Sequence, residues 1–100
     1  MLYVLFGEDR NDSLQQRLAV RPAHVERLQA LQTEGRLVLA GPLPVIDTPD
    51  PGPAGFTGSL IVAEFDSQEA AQAWFEADPY ITTGVFVSTW VRPFRQVFPQ

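Results

Sequence analysis

The pattern of hydrophobic and polar positions predicts four strands along the chain. Residues 2–6 form a continuous apolar run closed by Gly7, which is typical of a strand with both faces buried. A second strand is predicted at residues 36–40, around the apolar Leu37-Val38-Leu39, and is expected to end at Gly41-Pro42. The other two strands are predicted at residues 59–65 and 85–91, with the last one continuing through Pro93-Phe94.

Helical spacing predicts a helix between the first two strands, closed by Gly35 as a C-terminal cap. Ser13 and Gln16 match a capping box, which favours a start at Ser13. Pro22 interrupts this helix because it cannot donate a hydrogen bond and its ring clashes with the carbonyl of Leu18. The helix therefore either kinks at Pro22 or starts there, with Pro22 in its first turn. The positions that keep helical spacing are Leu14, Leu18, Arg21, Val25, Leu28 and Gln32.

A turn-rich loop and a second helix complete the prediction. Residues 41–58 carry five of the nine prolines and four of the seven glycines, which indicates an ordered loop rather than a domain linker. We expect this loop to form the rim of a ligand pocket. Asp66-Ser67 is expected to start the second helix, which ends before Asp78-Pro79-Tyr80. Its apolar stripe consists of Ala71, Trp74 and Phe75.

The order strand, helix, strand, strand, helix, strand predicts an α+β fold of the ferredoxin-like split βαβ type. Two right-handed crossovers would place both helices on one face of a four-stranded antiparallel sheet. The other face would be bare, yet three strands also place apolar side chains on it, and Trp90 is a candidate for this face. We therefore expect residues 1–100 to form one domain that makes a homodimer through the sheet face, burying roughly 800 Å² per partner.

Composition limits the class of partner. Hydrophobic residues make up 45% of the chain and charged residues 19%, which is typical of a folded globular domain. Seven arginines and no lysine oppose twelve acidic residues, so the net charge is -5 and we expect no nucleic-acid partner. The lack of cysteine excludes a disulfide framework, a thiolate metal site and a cysteine nucleophile. The apolar N-terminus is too short for a signal peptide or a membrane span, so we expect no membrane contact and a cytoplasmic location.

His24 is the only histidine and the strongest candidate for chemistry. Helical spacing places it four residues before Leu28 and seven before Leu31, on or beside the apolar stripe. An imidazole that lines a cleft there would be suited to general acid–base catalysis. The alternative is a buried histidine that hydrogen-bonds to a backbone carbonyl, and position alone favours this structural interpretation.

Two aspartates could serve His24, and the choice depends on where the first helix begins. We expect the first and third strands to run parallel, which would place Asp9 near the start of the first helix and Asp78 at the opposite end of the sheet. A helix that begins at Ser13 carries His24 about 16 Å along its axis, towards Asp78, whereas a start at Pro22 keeps it near Asp9. The capping box favours Asp78. An aspartate before a proline is equally an ordinary N-cap or turn residue.

Weaker signals suggest substrate-binding residues. Arg21 could bind a substrate carboxylate or phenolate, Ser59 could donate a hydrogen bond to substrate, and Asp9 is the third candidate. An exposed arginine on a helix edge and a serine at the entrance to a strand are also ordinary structural residues. A single histidine argues against a metal site, and no nucleophile elbow or phosphate-binding glycine loop is visible. We therefore expect neither a metal nor a cofactor.

In the order and spacing of its short motifs, the chain resembles the YciI-like (YCII-related) proteins over nearly its whole length. This resemblance implies a dimeric α+β barrel of ferredoxin-like fold with a histidine and an aspartate in the active site, similar in fold to muconolactone isomerase. Some relatives are similar to dehydrochlorinases of chlorinated hydroxyquinols. Pro22 within the first helix departs mildly from the family pattern. The motifs are an opening strand ending near Asp9, Arg17-Leu18-Ala19-Val20-Arg21 followed by His24, Gly41-Pro42, Gly55-Phe56-Thr57-Gly58-Ser59, Asp78-Pro79-Tyr80 with Gly84, and Pro93-Phe94.

Two classes of function are compatible with these residues. In the first, His24 is a general acid or base, oriented by Asp78 or Asp9, in an isomerisation or elimination of a small cyclic or phenolic substrate. In the second, the chain is a non-catalytic dimeric module that binds a small ligand or a partner. An open pocket at His24 would favour the enzyme, and a histidine sealed in the core would favour the module.

Overall fold

Four strands form one antiparallel sheet, and the computed structural model describes all of residues 1–100. The strands are β1 (Leu2–Asp9), β2 (Leu37–Pro44), β3 (Phe56–Glu64) and β4 (Phe86–Phe94). Their order across the sheet is β2-β3-β1-β4. Leu5 lies at the centre, opposite Ile61 of β3 on one side and Val91 of β4 on the other. This is the predicted ferredoxin-like split βαβ arrangement.

Three helices cover one face of this sheet. They are α1 (Leu14–Thr33), α2 (Gln68–Glu76) and the short α3 (Pro79–Thr82), and a 3-10 turn spans Gly52–Ala54. The hydroxyl of Ser67 caps α2 as predicted, accepting a hydrogen bond from the backbone N–H of Ala70 at 3.0 Å. α3 was not predicted as a helix, but its first residues confirm one of the two structural alternatives for Asp78, that of an N-cap. The buried hydrophobic cluster between helices and sheet comprises Tyr3, Leu5, Leu31, Ile61, Ala63, Phe65, Ala71, Phe75, Tyr80, Val85, Phe86 and Val91.

α1 runs from Leu14 to Thr33 without a break at Pro22, so of the two alternatives the helix that follows Ser13 is the one observed. The capping box is not formed, because the hydroxyl of Ser13 donates to the carbonyl of Arg10 at 2.6 Å. The predicted stripe is also rotated, since Leu18 is 49% exposed. Hydrophobicity alone could not locate the buried face, because two of its three residues are polar. The buried residues of α1 are Arg17, His24 and Leu31.

Three strands are longer than the runs that predicted them, and β1 continues through Gly7 to Asp9. β2 does not end at Gly41-Pro42 but continues to Pro44, and β3 already begins at Phe56. β2 is an edge strand, where a proline that lacks an N–H group costs little. Gly58 allows β3 to pair with β1 before Ser59. Any larger residue at this position would collide with the carbonyl oxygen of Gly7 on β1. The loop between the two strands is therefore confined to residues 45–55.

The directions of the strands correct one expectation. β1 and β3 run antiparallel, not parallel, because a chain reversal separates β2 from β3. α1 and α2 consequently run in opposite directions across the sheet. The end of β1 and the chain after α2 therefore lie at the same end of the sheet, where the side chain of Arg10 donates to the carbonyl of Gly84 at 3.0 Å.

The sheet face away from the helices carries apolar side chains. Phe6 on β1 stacks on Trp90 on β4, with ring centroids 5.2 Å apart. The side chains of Leu39, Trp90 and Phe94 are 52%, 38% and 37% exposed. We call Phe6, Leu39, Trp90 and Phe94 the open sheet face. A homodimer through this surface stays a prediction.

No helix of the structure has the length and apolar character needed to cross a lipid bilayer. The cytoplasmic location expected from the sequence stays a prediction.

Candidate active site

A buried carboxylate holds the imidazole of His24. Nδ1 of His24 lies 3.0 and 2.9 Å from the two carboxylate oxygens of Asp78. His24 is 7% exposed and Asp78 is fully buried. Facing a carboxylate, Nδ1 is the nitrogen that carries the hydrogen and donates it, so Nε2 is the nitrogen with a free lone pair. Asp9, the alternative partner, makes no hydrogen bond to His24.

Asp78 binds two further donors and has a structural role as well. It is the N-cap of α3, accepting a hydrogen bond from the backbone N–H of Tyr80 at 2.9 Å. Nη1 of Arg27 donates to it at 3.1 Å. Arg27 is in turn fixed by the carbonyl of Trp74 at 2.6 Å and lies over the indole ring, 4.1 Å from its centroid. These donors compensate a carboxylate that would otherwise be costly to bury.

A second buried ion pair lies on the same face of α1. Arg17 donates to both oxygens of Asp9, at 2.8 and 2.7 Å, and both side chains are 4% exposed. Nη2 of Arg17 also donates to the hydroxyl of Ser59 at 3.0 Å. Asp9 and Ser59, both predicted to bind substrate, are thus partners of Arg17. The two hydrogen bonds from Arg17 to the carboxylate of Asp9 are the strong, bidentate form of a charge-assisted interaction.

Tyr80 connects the two ion pairs. Its ring stacks on His24, with centroids 4.0 Å apart and planes inclined by 18°. The guanidinium carbon of Arg17 lies 4.6 Å from the centroid of the same ring. Burial raises the pKa of the phenol above its ordinary value of 10.0, and the opposing effect of the positive Arg17 and Arg21 is smaller. Tyr80 therefore presents a neutral hydroxyl at neutral pH.

His24 lines a cavity rather than being sealed in the core. The cavity has a volume of about 120 Å³ and lies between α1, β2, β3 and α3. Arg21, the third predicted substrate-binding residue together with Asp9 and Ser59, is exposed at this cavity. The lining residues are Arg17, Arg21, His24, Val25, Leu28, Ala40, Gly41, Pro42, Ser59 and Tyr80.

The loop predicted to form the rim contributes only its first residues, Gly41 and Pro42, to this cavity. Asp50, Gly52, Pro53 and Phe56 of the same loop border a separate, larger hollow of about 630 Å³ beside the start of α1. That hollow contains neither His24 nor Tyr80, so it is not the cavity of the histidine.

Sequence reasoning missed Arg17 and Tyr80. Arg17 precedes His24 by seven residues, a spacing that returns to the same side of a helix, and this was the available signal. Tyr80 follows Asp78-Pro79, where an N-cap aspartate turns the next residues back towards their own carboxylate. No group of three or more His, Cys, Asp or Glu side chains is placed to hold a metal ion.

The fold and the site define an α+β domain of the ferredoxin-like class with a histidine–carboxylate pair on the wall of a small cavity. The profile of the YCII-related domain matches residues 1–95. The chain belongs to the YCII-related domain family.

Relatives of this family cover nearly the whole chain. The protein YciI of Escherichia coli O6:H1 is 59% identical over 98 residues, which are 98% of this chain and 100% of the relative. An uncharacterised protein of Haemophilus influenzae is 48% identical over the same shares of both chains. Among solved structures, the 5-chloro-2-hydroxyhydroquinone dehydrochlorinase TftG of Burkholderia phenoliruptrix AC1100, in complex with 2,5-dihydroxybenzoquinone, is similar with a TM-score of 0.83. It is 28% identical, and the match covers 95% of this chain and 94% of TftG.

Proposed function

We propose that this protein is an acid–base enzyme that isomerises, or eliminates a leaving group from, a small cyclic or phenolic substrate. The observation that carries the proposal is the position of His24, whose Nδ1 is bound by the buried Asp78 while its ring lines the cavity. Such a histidine has the geometry of a general base that is oriented by a carboxylate.

The reaction begins with proton transfer to Nε2 of His24. The substrate loses a proton, the freed electron pair forms a new double bond, and the imidazolium is stabilised by the negative charge of Asp78. In an isomerisation, His24 returns the proton to another atom of the substrate. In an elimination, the leaving group departs with its bonding electrons and the proton passes to water. Neither course needs a cofactor.

The similarity to TftG supports this class of reaction. That protein is a dehydrochlorinase of a chlorinated hydroxyquinol, and its structure contains a quinone of one ring. The small volume of the cavity at His24 agrees with a substrate of that size. We also propose that the working form is a homodimer joined through the open sheet face, because a surface of this apolar character is seldom left in water.

Proton exchange in heavy water tests the proposal even when the product is unknown. Purified protein is incubated with a panel of hydroxyquinols, chlorohydroxyquinols and unsaturated lactones, and deuterium incorporation and chloride release are followed by mass spectrometry and ion chromatography. We expect at least one compound to exchange or react in the wild type and the rate to fall by about 10²-fold or more in His24→Asn.

Asp78→Asn should reduce the same rate, since an amide cannot stabilise the imidazolium as a carboxylate does. Asp66→Asn is the matched control, because Asp66 is exposed and lies outside the cavity. A rate that survives in His24→Asn contradicts the proposal.

A ligand-binding module is the second candidate, and one observation favours it. Asp78 already has a structural function as the N-cap of α3, so its pairing with His24 does not require catalysis. Binding of a panel compound without exchange, and with equal affinity in wild type and Asp78→Asn, would identify the chain as a module.

A further inference from the structure

The charges around the cavity do not cancel. Arg17 is neutralised by Asp9, and Arg27 is neutralised by Asp78, both within the buried part of the site. The side chain of Arg21 has no carboxylate partner and makes no hydrogen bond. With a neutral His24, three arginines face two carboxylates, so the site carries one uncompensated positive charge.

No carboxylate lines the cavity, although the chain as a whole has a net charge of -5. The polar lining consists of two arginines, two hydroxyls and the imidazole, most of which can donate hydrogen bonds. The hydrogen bonds of Arg17 to Asp9 and Ser59 use Nε and Nη2 only, so Nη1 is free of them. Arg17 is nevertheless 3% exposed and lines the cavity, which makes it a buried donor beside the ligand position.

The size of the cavity and its non-polar side chains determine the size and the non-polar part of the ligand. Val25, Leu28, Ala40 and Pro42 supply the non-polar part of the lining. A cavity of about 150 Å³ holds one benzene ring, so about 120 Å³ of partly open space is matched in size to a ligand of one ring.

We propose that the cavity is selective for monoanions of one ring, with the anionic oxygen held by Arg21 and Nη1 of Arg17 and the ring against His24 and the non-polar part of the lining. Enolates, phenolates and ring carboxylates share this chemistry. The inference rests on the proposed function for its location but not for its test, because selective binding requires no turnover.

Three probes of the same shape and different charge test the selectivity. Benzoate is an anion, benzamide is neutral and benzamidine is a cation. The imidazole of His24 gives a single histidine NMR signal, so its shift reports occupancy at this cavity rather than elsewhere. At low ionic strength we expect benzoate to bind at least about tenfold more tightly than benzamide, equivalent to about 1.4 kcal/mol, and benzamidine to bind most weakly.

Arg21→Gln should remove the preference for benzoate over benzamide without unfolding the protein, since Arg21 is exposed and unpaired. Arg95→Gln makes the same change of charge in the exposed C-terminal tail and should keep the preference. Added salt should weaken benzoate binding in wild type and leave benzamide binding unchanged.

Equal binding of benzoate and benzamide, a preference that persists in Arg21→Gln, or no shift of the His24 signal with any probe would overturn the inference. These results are separable from the enzymatic proposal. Turnover that depends on His24 without anion preference refutes only the inference, and anion preference without turnover refutes only the enzyme.

Discussion

Tyr80 and His24 are joined through the same carboxylate. The backbone N–H of Tyr80 and Nδ1 of His24 both donate to Asp78, and the two rings stack with centroids 4.0 Å apart. The first turn of α3 therefore fixes the position of the imidazole on α1. The orientation of the candidate base therefore depends on Asp78 at the start of α3, which is 54 residues away in sequence.

The first prediction concerns the contribution of Asp78 to the free energy of unfolding. Asp78→Asn keeps the shape of the side chain but removes the charge that compensates Arg27 and binds His24. Breaking a buried pair in this way costs roughly 3–5 kcal/mol, and we expect a loss near the lower bound because an amide oxygen can still cap α3. Urea unfolding followed by circular dichroism measures it, with Asp66→Asn as control. A loss as small as that of the control would show that the pair does not stabilise the fold.

The second prediction separates a buried charge from the ion pair that contains it. Arg17→Met leaves the carboxylate of Asp9 buried without a partner and should lower the free energy of unfolding by roughly 3–5 kcal/mol. The double variant Arg17→Met/Asp9→Leu removes both charges and should recover much of this loss. The same urea experiment applies. A double variant as unstable as the sum of the single variants would contradict this expectation.

The third prediction is a pH dependence that comes from Tyr80. Because its phenol has a raised pKa in the folded chain, the folded state retains this proton at a pH where the unfolded state has lost it. The resulting stability is complete below the ordinary pKa of 10.0 and is lost as the pH rises through the folded value. We expect the free energy of unfolding to fall above the ordinary pKa of 10.0 more steeply in wild type than in Tyr80→Phe.

A direct titration complements that measurement. Tyr3→Phe leaves Tyr80 as the only tyrosine, so the ultraviolet absorbance of tyrosinate then reports this one phenol. We expect a midpoint above 10.0. A midpoint at or below that value, in protein that is still folded, would mean that the positive arginines outweigh burial.

The fourth prediction concerns the open sheet face. Light scattering at micromolar concentration should give twice the mass of the 11.1 kDa chain. Leu39→Glu places a charge on this face and should shift the mass towards the monomer, whereas Val97→Glu, in the exposed tail, should not. A wild-type monomer at every concentration would refute the dimer.

Local signals in the sequence were sufficient for most of the fold. The apolar run of β1 and the capping serine of α2 depend on neighbouring residues only, and both were located correctly. β2 was cut short at Pro42 because the sequence does not reveal that this strand lies at an edge of the sheet, where proline is tolerated. α3 was not predicted as a helix for a different reason, because four residues are too few to show helical periodicity.

The site could be predicted only in part. His24 and Asp78 were selected as a pair, and the structure places them in contact, but the expected parallel strands would have put Asp78 at the wrong end of the sheet. The burial of Arg17 could not be predicted, because it depends on Asp9 and Ser59, which two separate strands supply. A charged side chain is buried only when the fold supplies partners for it, and the sequence around Arg17 does not show that it has such partners.

The spacing of the buried residues on α1 limits how this protein can vary in length. Arg17, His24 and Leu31 succeed one another at intervals of seven residues, close to two helical turns. Inserting or deleting one residue between the first two would rotate the imidazole by about 100° relative to the guanidinium, away from either Asp9 or Asp78. Between Arg17 and His24, α1 is therefore fixed in length, whereas residues 45–55, outside this cavity, are free of that constraint.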